Sequence, residues 1–352
     1  MFTRFAENPI LTPADAVPSR PDMEVALVLN PGAFQYEGKV GLVVRVAERP
    51  VQETGWVSAP LLDPDSEGGV RILKIKKGDP HLAGEDPRGF SYQGRGYLTT
   101  LSHLRVAWST DGIRFELDPK PTLLGTGNYE SFGIEDCRVE FVEDRYWLTY
   151  SSASQFGCGI GLISTADWKI FQRHGLIFPP HNKDCALFPR KINGRYRALS
   201  RPSGVDLGGH YIWISSSPDL LDWGCHTCLA TTRPRMWDSQ RVGGGAAPIE
   251  TEQGWLAIYH GADDQSRYCL GALLLDIDDP TRVIARSENP VMEPVEEYEK
   301  NGFFGGVVFT NGHVVRGDEI TLYYGASDTV ICGARGSISG LLDSVRSGCV
   351  RE

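Results

Sequence analysis

Apolar and aromatic residues along this chain fall in short runs that end in small polar residues. Five runs are alike: Gly96-Tyr97-Leu98-Thr99-Thr100-Leu101-Ser102, Tyr146-Trp147-Leu148-Thr149-Tyr150-Ser151, Tyr196-Arg197-Ala198-Leu199-Ser200-Arg201, Trp255-Leu256-Ala257-Ile258-Tyr259-His260 and Leu322-Tyr323-Tyr324-Gly325. Each reads as a strand, and no ten-residue stretch carries a helical period. Four are followed by a polar turn: Trp108-Ser109-Thr110-Asp111-Gly112, Ser164-Thr165-Ala166-Asp167-Trp168, Ser217-Pro218-Asp219-Leu220 and Asp276-Ile277-Asp278-Asp279-Pro280. The unit recurs at about 50–60 residues, the length of one propeller blade of four antiparallel strands. An earlier apolar unit, Val40 to Val46, leaves the count at five or six. Residues from about 50 to 96 read as an insertion that splits one blade, with an acidic stretch from Asp63 to Glu67 and a basic one from Lys74 to Lys77. The expectation is an all-β, five-bladed β-propeller, one domain over 1–352, with functional side chains at one mouth of the central channel. A pair of two-sheet sandwiches would fit the regular spacing less well.

Composition narrows the partners. Forty glycines and twenty-two prolines in 352 residues suit many short strands and turns, and 41% apolar residues can build a large core. A net charge of −10 speaks against nucleic acid or an anionic membrane as partner, though a few local arginines can still hold a small anion. Met1 to Pro13 holds Arg4, Glu7, Pro9 and Pro13 where a signal peptide needs a continuous apolar stretch. No run reaches membrane-spanning length. Cysteines such as Cys158, Cys185 and Cys269 sit inside strand-like runs, as reduced thiols of a cytoplasmic protein would. Cys225-His226-Thr227-Cys228 lacks the second ligand pair that a structural zinc needs, so it reads as a surface turn, and no metal is expected. Whether the chain is a monomer or a homo-oligomer is left open.

The chemistry concentrates in a few motifs. Gly84-Glu85-Asp86-Pro87-Arg88 and Gly133-Ile134-Glu135-Asp136-Cys137-Arg138 each set two acids beside an arginine, close enough for oriented, charge-assisted pairing. Their likeness suggests two copies of one structural unit. Further unusual segments are Asn30-Pro31-Gly32, Arg45, His181-Asn182-Lys183-Asp184, Arg201-Pro202, Arg241-Val242-Gly243-Gly244-Gly245, His260, Gly302-Phe303-Phe304-Gly305 and Tyr324-Gly325-Ala326-Ser327-Asp328. Carboxylates, fixed cations and aromatics together suit a sugar and an oxyanion such as phosphate. Each motif also has a plainer reading. The acid–arginine pairs could be structural salt bridges, Arg241 could serve a turn, and His260 could be a core histidine. The triple glycine is no P-loop, and no nucleophile elbow or zinc-protease motif is present.

Taken together, the motifs resemble glycoside hydrolase family 130, the mannoside phosphorylases, whose members are five-bladed β-propellers. GIEDCR is similar to the family's GIEDPR, and NKDCALFP to its NKD-LFP segment; RVGGGAAPIETEQGWLAIYHG and YEKNGFFGGVVFTNG match as well. The late segment and the GEDPR insertion look most like the branch acting on β-1,2-mannobiose and β-1,2-oligomannans. The resemblance implies that Asp136 is the proton donor. It implies that Arg45, Asn182, Lys183, Arg241 and His260 surround phosphate, and that Asp86, Arg88, Arg138, Tyr268, Phe304 and Asp328 serve the sugar. Four positions depart from the family pattern: Cys137 stands for Pro, His181 for an arginine, Ser200 for a histidine and Arg190 for Glu.

An inverting hydrolase needs a second carboxylate to activate water, whereas phosphate is already an anionic nucleophile. Arg45, Lys183, Arg241 and His260 could hold that anion, so the expected reaction is phosphorolysis of a β-mannoside to α-mannose 1-phosphate, with inorganic phosphate as co-substrate and no cofactor. By resemblance, the proton of Asp136 passes through the mannose 3-hydroxyl. Asp136 must then be protonated, which burial and Glu135 would favour. The rivals are a β-1,2-mannosidase using Glu85 or Glu250 as base, a β-1,4-mannosyl-glucose phosphorylase, and a non-catalytic sugar-binding propeller. Convergence of the four cations on one anion site is the feature that separates phosphorolysis from the hydrolase and from the non-catalytic propeller.

Overall fold

The structure, a computed structural model, describes residues 1–204 and 207–346. It is nearly all β, and every strand pairing within its sheets is antiparallel. The first sheet runs Met23–Tyr36, Lys39–Pro50, Leu101–Ser109, Glu116–Leu117. The second runs Ile134–Val142, Arg145–Ser154, Gly157–Thr165, Phe171–Phe178, and the third Asn182–Leu187, Tyr196–Pro202, Ile212–Ser217, Gly224–Ala230. The fourth follows Arg241–Gly244, Gly254–Ala262, Tyr268–Leu275, Val283–Arg286, with Ile249–Thr251 also on its second strand. The fifth consists of Val308–Arg316, Glu319–Ala326 and Val330–Ser337, and its outermost strand is Thr3–Arg4 from the other end of the chain.

Apart from the long excursion in the first sheet and the N-terminal strand of the fifth, each sheet is a meander, with a short polar turn before its outermost strand. In four of the five sheets that turn is the Asp motif expected from the sequence. The Asp111 carboxylate accepts the amides of Ile113 and Arg114, Asp167 those of Lys169 and Ile170, Asp219 those of Leu221 and Asp222, and Asp276 those of Asp278 and Asp279. These Asx-type bonds satisfy donors that the turn would otherwise leave open.

Five apolar clusters lie between sheets. Val43, Leu104, Ile134 and Leu148 join the first and second, and Ile160, Leu162, Leu187 and Ala198 the second and third. Leu199, Ile214, Trp255 and Leu273 join the third and fourth, and Leu256, Leu270, Val308 and Leu322 the fourth and fifth. Val28, Leu42, Val314 and Ile331 join the fifth and first. At about 1.5–3 kcal/mol per fully buried large aliphatic side chain, these seams supply much of the drive to fold.

Two expectations change. Gly96 to Ser102 is not one strand: Arg95–Leu98 belongs to a small sheet with Leu82–Ala83 and Gly89–Tyr92, and Leu101 opens a strand of the first sheet. The Val40–Val46 unit and Leu101 do share one sheet, as an insertion splitting a blade requires, because Lys39–Pro50 pairs directly with Leu101–Ser109. Between these two strands the chain builds that small sheet and the hairpin of Trp56–Leu62 with Val70–Lys76. Helix was also underestimated. Ile338–Arg346 is an α-helix burying Ile338, Leu341, Leu342 and Val345, spaced to share one face, but its nine described residues fall below a ten-residue test.

Candidate active site

The first strands of four sheets carry the same irregularity. Register skips between Leu29 and Gly32, Glu135 and Arg138, Lys183 and Ala186, and Thr310 and Gly312. A bulge of this kind bends the strand and re-aims a side chain. Asn30, Asp136 and Asp184 sit in these bulges with φ of 48°, 50° and 56°, a region that Asn and Asp enter more easily than most residues. Asn311 occupies the fourth and donates to the Asn30 carbonyl at 3.1 Å. The first strand of the fourth sheet has glycines instead. A Cβ at Gly243 would lie 2.5 Å from Asp184 Oδ2 and 2.5 Å from the His260 ring, so only glycine lets that strand approach.

Asp136 is buried and held from two sides: Asn30 Nδ2 donates to its Oδ1 at 3.0 Å and Arg45 Nη1 to the same oxygen at 3.1 Å. Arg45 Nη2 reaches Glu135 at 2.9 Å, and its Nε reaches Ser102 Oγ at 3.0 Å. Lys183 Nζ lies 4.0 Å from Glu135. Burial pushes the Asp136 carboxyl up, but Arg45, Lys183, Arg138 and the Asn30 bond outweigh it and leave it below the usual range. This charge balance favours the carboxylate form of Asp136, against the expectation that burial and Glu135 would keep it protonated; Arg45 pairs with Glu135 as well. Across the cavity burial dominates at Asp328, whose carboxyl is pushed up to about 6, opposed by Arg45 and raised further by Asp136.

Asp184 is the hub within this wall. It accepts Arg138 Nη2 at 2.9 Å and Arg201 Nε at 2.5 Å, and His260 Nε2 stands 3.4 Å away. Burial alone would raise its pKa, but Arg201 and Arg138, with the nearby His260 ring, hold it well below the carboxylate range. Arg138 also donates to the carbonyls of Asp136, Gly244 and Gly245, tying three sheets together. Desolvation lowers the His260 pKa, with Asp184 only partly opposing it. His260 is thus neutral near pH 7, not the fourth cation it was expected to be.

These groups line one cavity of about 450 Å³. Arg45, Lys183, Arg201 and Arg241 supply its positive charge and Asp136 and Asp328 its acids. Tyr268, Phe304, Phe309 and Arg88 form an aromatic side, with Arg88 5.3 Å over the Phe304 ring and Arg241 hydrogen-bonded to the Tyr268 hydroxyl. Buried Arg241 Nε has no hydrogen-bond partner among the described residues, a donor left for a ligand.

Of the residues expected at the site, Arg45, Asp136, Lys183, Arg241, His260, Arg88, Tyr268, Phe304 and Asp328 line this cavity. Arg138 stands behind the wall, and Asn182 is buried next to Lys183 with its Oδ1 unpartnered. Asp86 lies apart. It is exposed, caps a turn by accepting the amides of Arg88 and Gly89, and borders a neighbouring cleft of about 320 Å³ together with Glu85. The two acid–arginine motifs are therefore not copies of one unit. The structural counterpart of Glu135-Asp136-Cys137 is Lys183-Asp184-Cys185. Arg201 and Asp184 were not assigned from the sequence, although both lie in segments it singled out. Glu250, one proposed base, is on the surface in a bidentate pair with Arg190 at 2.6 and 2.9 Å. Among the described residues no group of three or more His, Cys, Asp or Glu could hold a metal ion. Cys225 and Cys228 are exposed free thiols on an outer strand, Gly224–Ala230, and not in a turn. No helix among the described residues is long and apolar enough to cross a membrane.

Residues 84–347 match the family model of glycoside hydrolase family 130, described as β-1,4-mannooligosaccharide phosphorylase. The chain belongs to glycoside hydrolase family 130. This family 130 chain is 45% identical over 344 residues to the β-1,2-mannobiose phosphorylase of Listeria innocua, covering 96% of this chain and 97% of that protein. The solved structure of the Listeria innocua enzyme with β-1,2-mannobiose aligns at a TM-score of 0.94 and 44% identity, covering 98% of this chain and 99% of that one. A 1,2-β-oligomannan phosphorylase of Thermoanaerobacter sp. is 40% identical over 238 residues, 67% of this chain and 78% of that protein.

Proposed function

We propose that this protein is an inverting phosphorylase that cleaves β-1,2-mannobiose or β-1,2-oligomannan with inorganic phosphate, releasing α-mannose 1-phosphate. The observation that carries the reading is the convergence of Arg45, Lys183, Arg201 and Arg241 on the cavity that holds Asp136. A hydrolase needs a carboxylate poised over water; neither expected base, Glu85 or Glu250, lines that cavity, and its further acid Asp328 lies under the charges of Arg45 and Arg88. The β-1,2 linkage is taken from the likeness to the Listeria innocua enzyme over nearly the whole of both chains.

On this reading the mannosyl unit lies against Tyr268 and Phe304, with Asp328 and Arg88 on its hydroxyls. Phosphate sits among the cations on the face of C1 opposite the leaving oxygen and attacks it. Asp136 supplies the proton that the leaving sugar takes, directly or, as the family resemblance implies, through the mannose 3-hydroxyl. Arg138 stands behind the cavity wall and, with Asp184 in that wall, holds the bulged strands and Arg201 in place. The five sheets and the five seams between successive ones, the last joining fifth to first, support a five-bladed β-propeller of one domain, with residues 51–100 as an excursion from the first blade. A cytoplasmic location remains the reading from the thiol pattern.

Arg241→Ala tests the anion site. Losing one charge-assisted contact costs about 1.5–3 kcal/mol, so the KM for phosphate should rise roughly ten- to a hundredfold while that for mannobiose moves far less. An unchanged phosphate KM would remove Arg241 from the site.

A further inference from the structure

The cation nearest the acid is already occupied. Arg45 engages Asp136 through Nη1, Glu135 through Nη2 and Ser102 through Nε, and Lys183 faces Glu135. Five side chains besides Asn30 set the charge around Asp136. Arg45 approaches from the first sheet, Glu135 and Arg138 from its own strand, Lys183 from the third sheet, and Asp328 from the fifth. Without a ligand this balance favours the carboxylate, which cannot donate a proton.

We propose that phosphate and the catalytic proton enter together: the anion draws off the charge of Arg45 and Lys183, and Asp136 takes up a proton as phosphate binds. The inference rests on phosphate being the anion of this site. An anion placed among these cations both competes for them and adds a like charge beside the acid, and either effect favours the neutral carboxyl. The acid is thus armed only when the nucleophile is present, which protects the bound glycoside from adventitious cleavage.

The step balances. With hydrogen phosphate dianion bound and Asp136 neutral, the proton leaves Asp136 for the departing oxygen as the C1–O bond to that oxygen breaks. A phosphate oxygen forms the new C1–O bond. Asp136 is left as a carboxylate and the sugar phosphate as a monoanion, so the two negative charges are conserved. The sugar phosphate sheds its remaining proton to water, and on its departure Arg45 closes on Asp136 again.

Sulfate is a suitable probe, because it stays a dianion from pH 6 to 8 and any proton taken up belongs to the protein. Sulfate titration by calorimetry in buffers of different ionisation heat should show uptake approaching one proton per sulfate bound. Its Kd should weaken by up to about tenfold per pH unit over that range. Asp136→Asn should still bind sulfate, with proton uptake and pH dependence lost near pH 8 and only the share of Asp328, whose carboxyl is pushed up to about 6, left near pH 6. Sulfate and phosphate binding to the unmodified protein with no uptake would overturn the inference and leave the phosphorylase reading standing. Uptake near pH 8 that persists in Asp136→Asn and disappears in Asp328→Asn would overturn it by placing the proton on Asp328. Binding of neither anion would overturn both the inference and the reading beneath it.

Discussion

Asp184→Asn removes one charge and nothing else of size. The Asp184 carboxylate receives a 2.9 Å bond from Arg138 and a 2.5 Å bond from Arg201, and the three side chains are almost wholly buried. An asparagine can accept from one guanidinium through Oδ1, but its amide nitrogen then faces the other, donor against donor. Breaking a buried ion pair from one side costs about 3–5 kcal/mol, because the remaining charge stays buried without a partner. With an unfolding entropy of about 2.1 cal/mol/K per residue over 352 residues, that corresponds to a fall in melting temperature of about 4–7 °C. The sign with pH follows from the depressed pKa. The contribution of Asp184 is complete above the unfolded value of about 3.9 and is lost as pH falls through the lower folded value, since the unfolded chain takes its proton first. The stability gap between the two proteins should therefore be flat at neutral pH and narrow below about pH 4. Chemical unfolding at several pH values, with a phosphate KM for each protein, measures both effects. A gap under about 1 kcal/mol at pH 7 with unchanged phosphate KM would refute the hub.

Asp136→Asn should stay folded and lose about 10²–10⁴-fold in turnover on mannobiose, whereas Asp86→Asn, altered only at an exposed turn, should retain most activity; steady-state kinetics of the pair, if reversed, would move the proton donor to the other motif. Gly243→Ala forces a Cβ to 2.5 Å from Asp184 and His260, so it should cost about 1–3 kcal/mol of stability and weaken phosphate binding, while the same change at Gly175, where a Cβ meets nothing within 4 Å, should leave phosphate KM alone. Equal phosphate KM values for the two alanine variants would show that the close approach of the fourth sheet does not shape the site.

The strands were legible because each carries an apolar run closed by a polar turn, and the Asp111, Asp167, Asp219 and Asp276 turns make the same backbone bonds in the structure. The site was legible as an inventory and much less as an arrangement. Asp86 and Asp136 share local sequence, yet one caps an exposed turn and the other sits in a strand bulge, a difference set by register with a partner strand and not by the motif. Asp184 and Arg201 escaped assignment because their role depends on Arg138, which comes from another sheet. His260 was counted as a cation although its apolar run also allowed a core histidine, and its burial decides for the neutral form. The excursion between Pro50 and Leu101 was visible as an interruption of the repeat, but its two small sheets were not, since short strands there lack the flanking turn pattern.

The central claim is that the cations beside Asp136 hold the nucleophile. Incubation of the protein with β-1,2-mannobiose, with and without inorganic phosphate, followed by proton and phosphorus NMR of the products, tests it directly. The account predicts α-mannose 1-phosphate and mannose in equal amounts when phosphate is present, and no cleavage when it is absent. Equal rates in both buffers, with free mannose as the sole product, would contradict it.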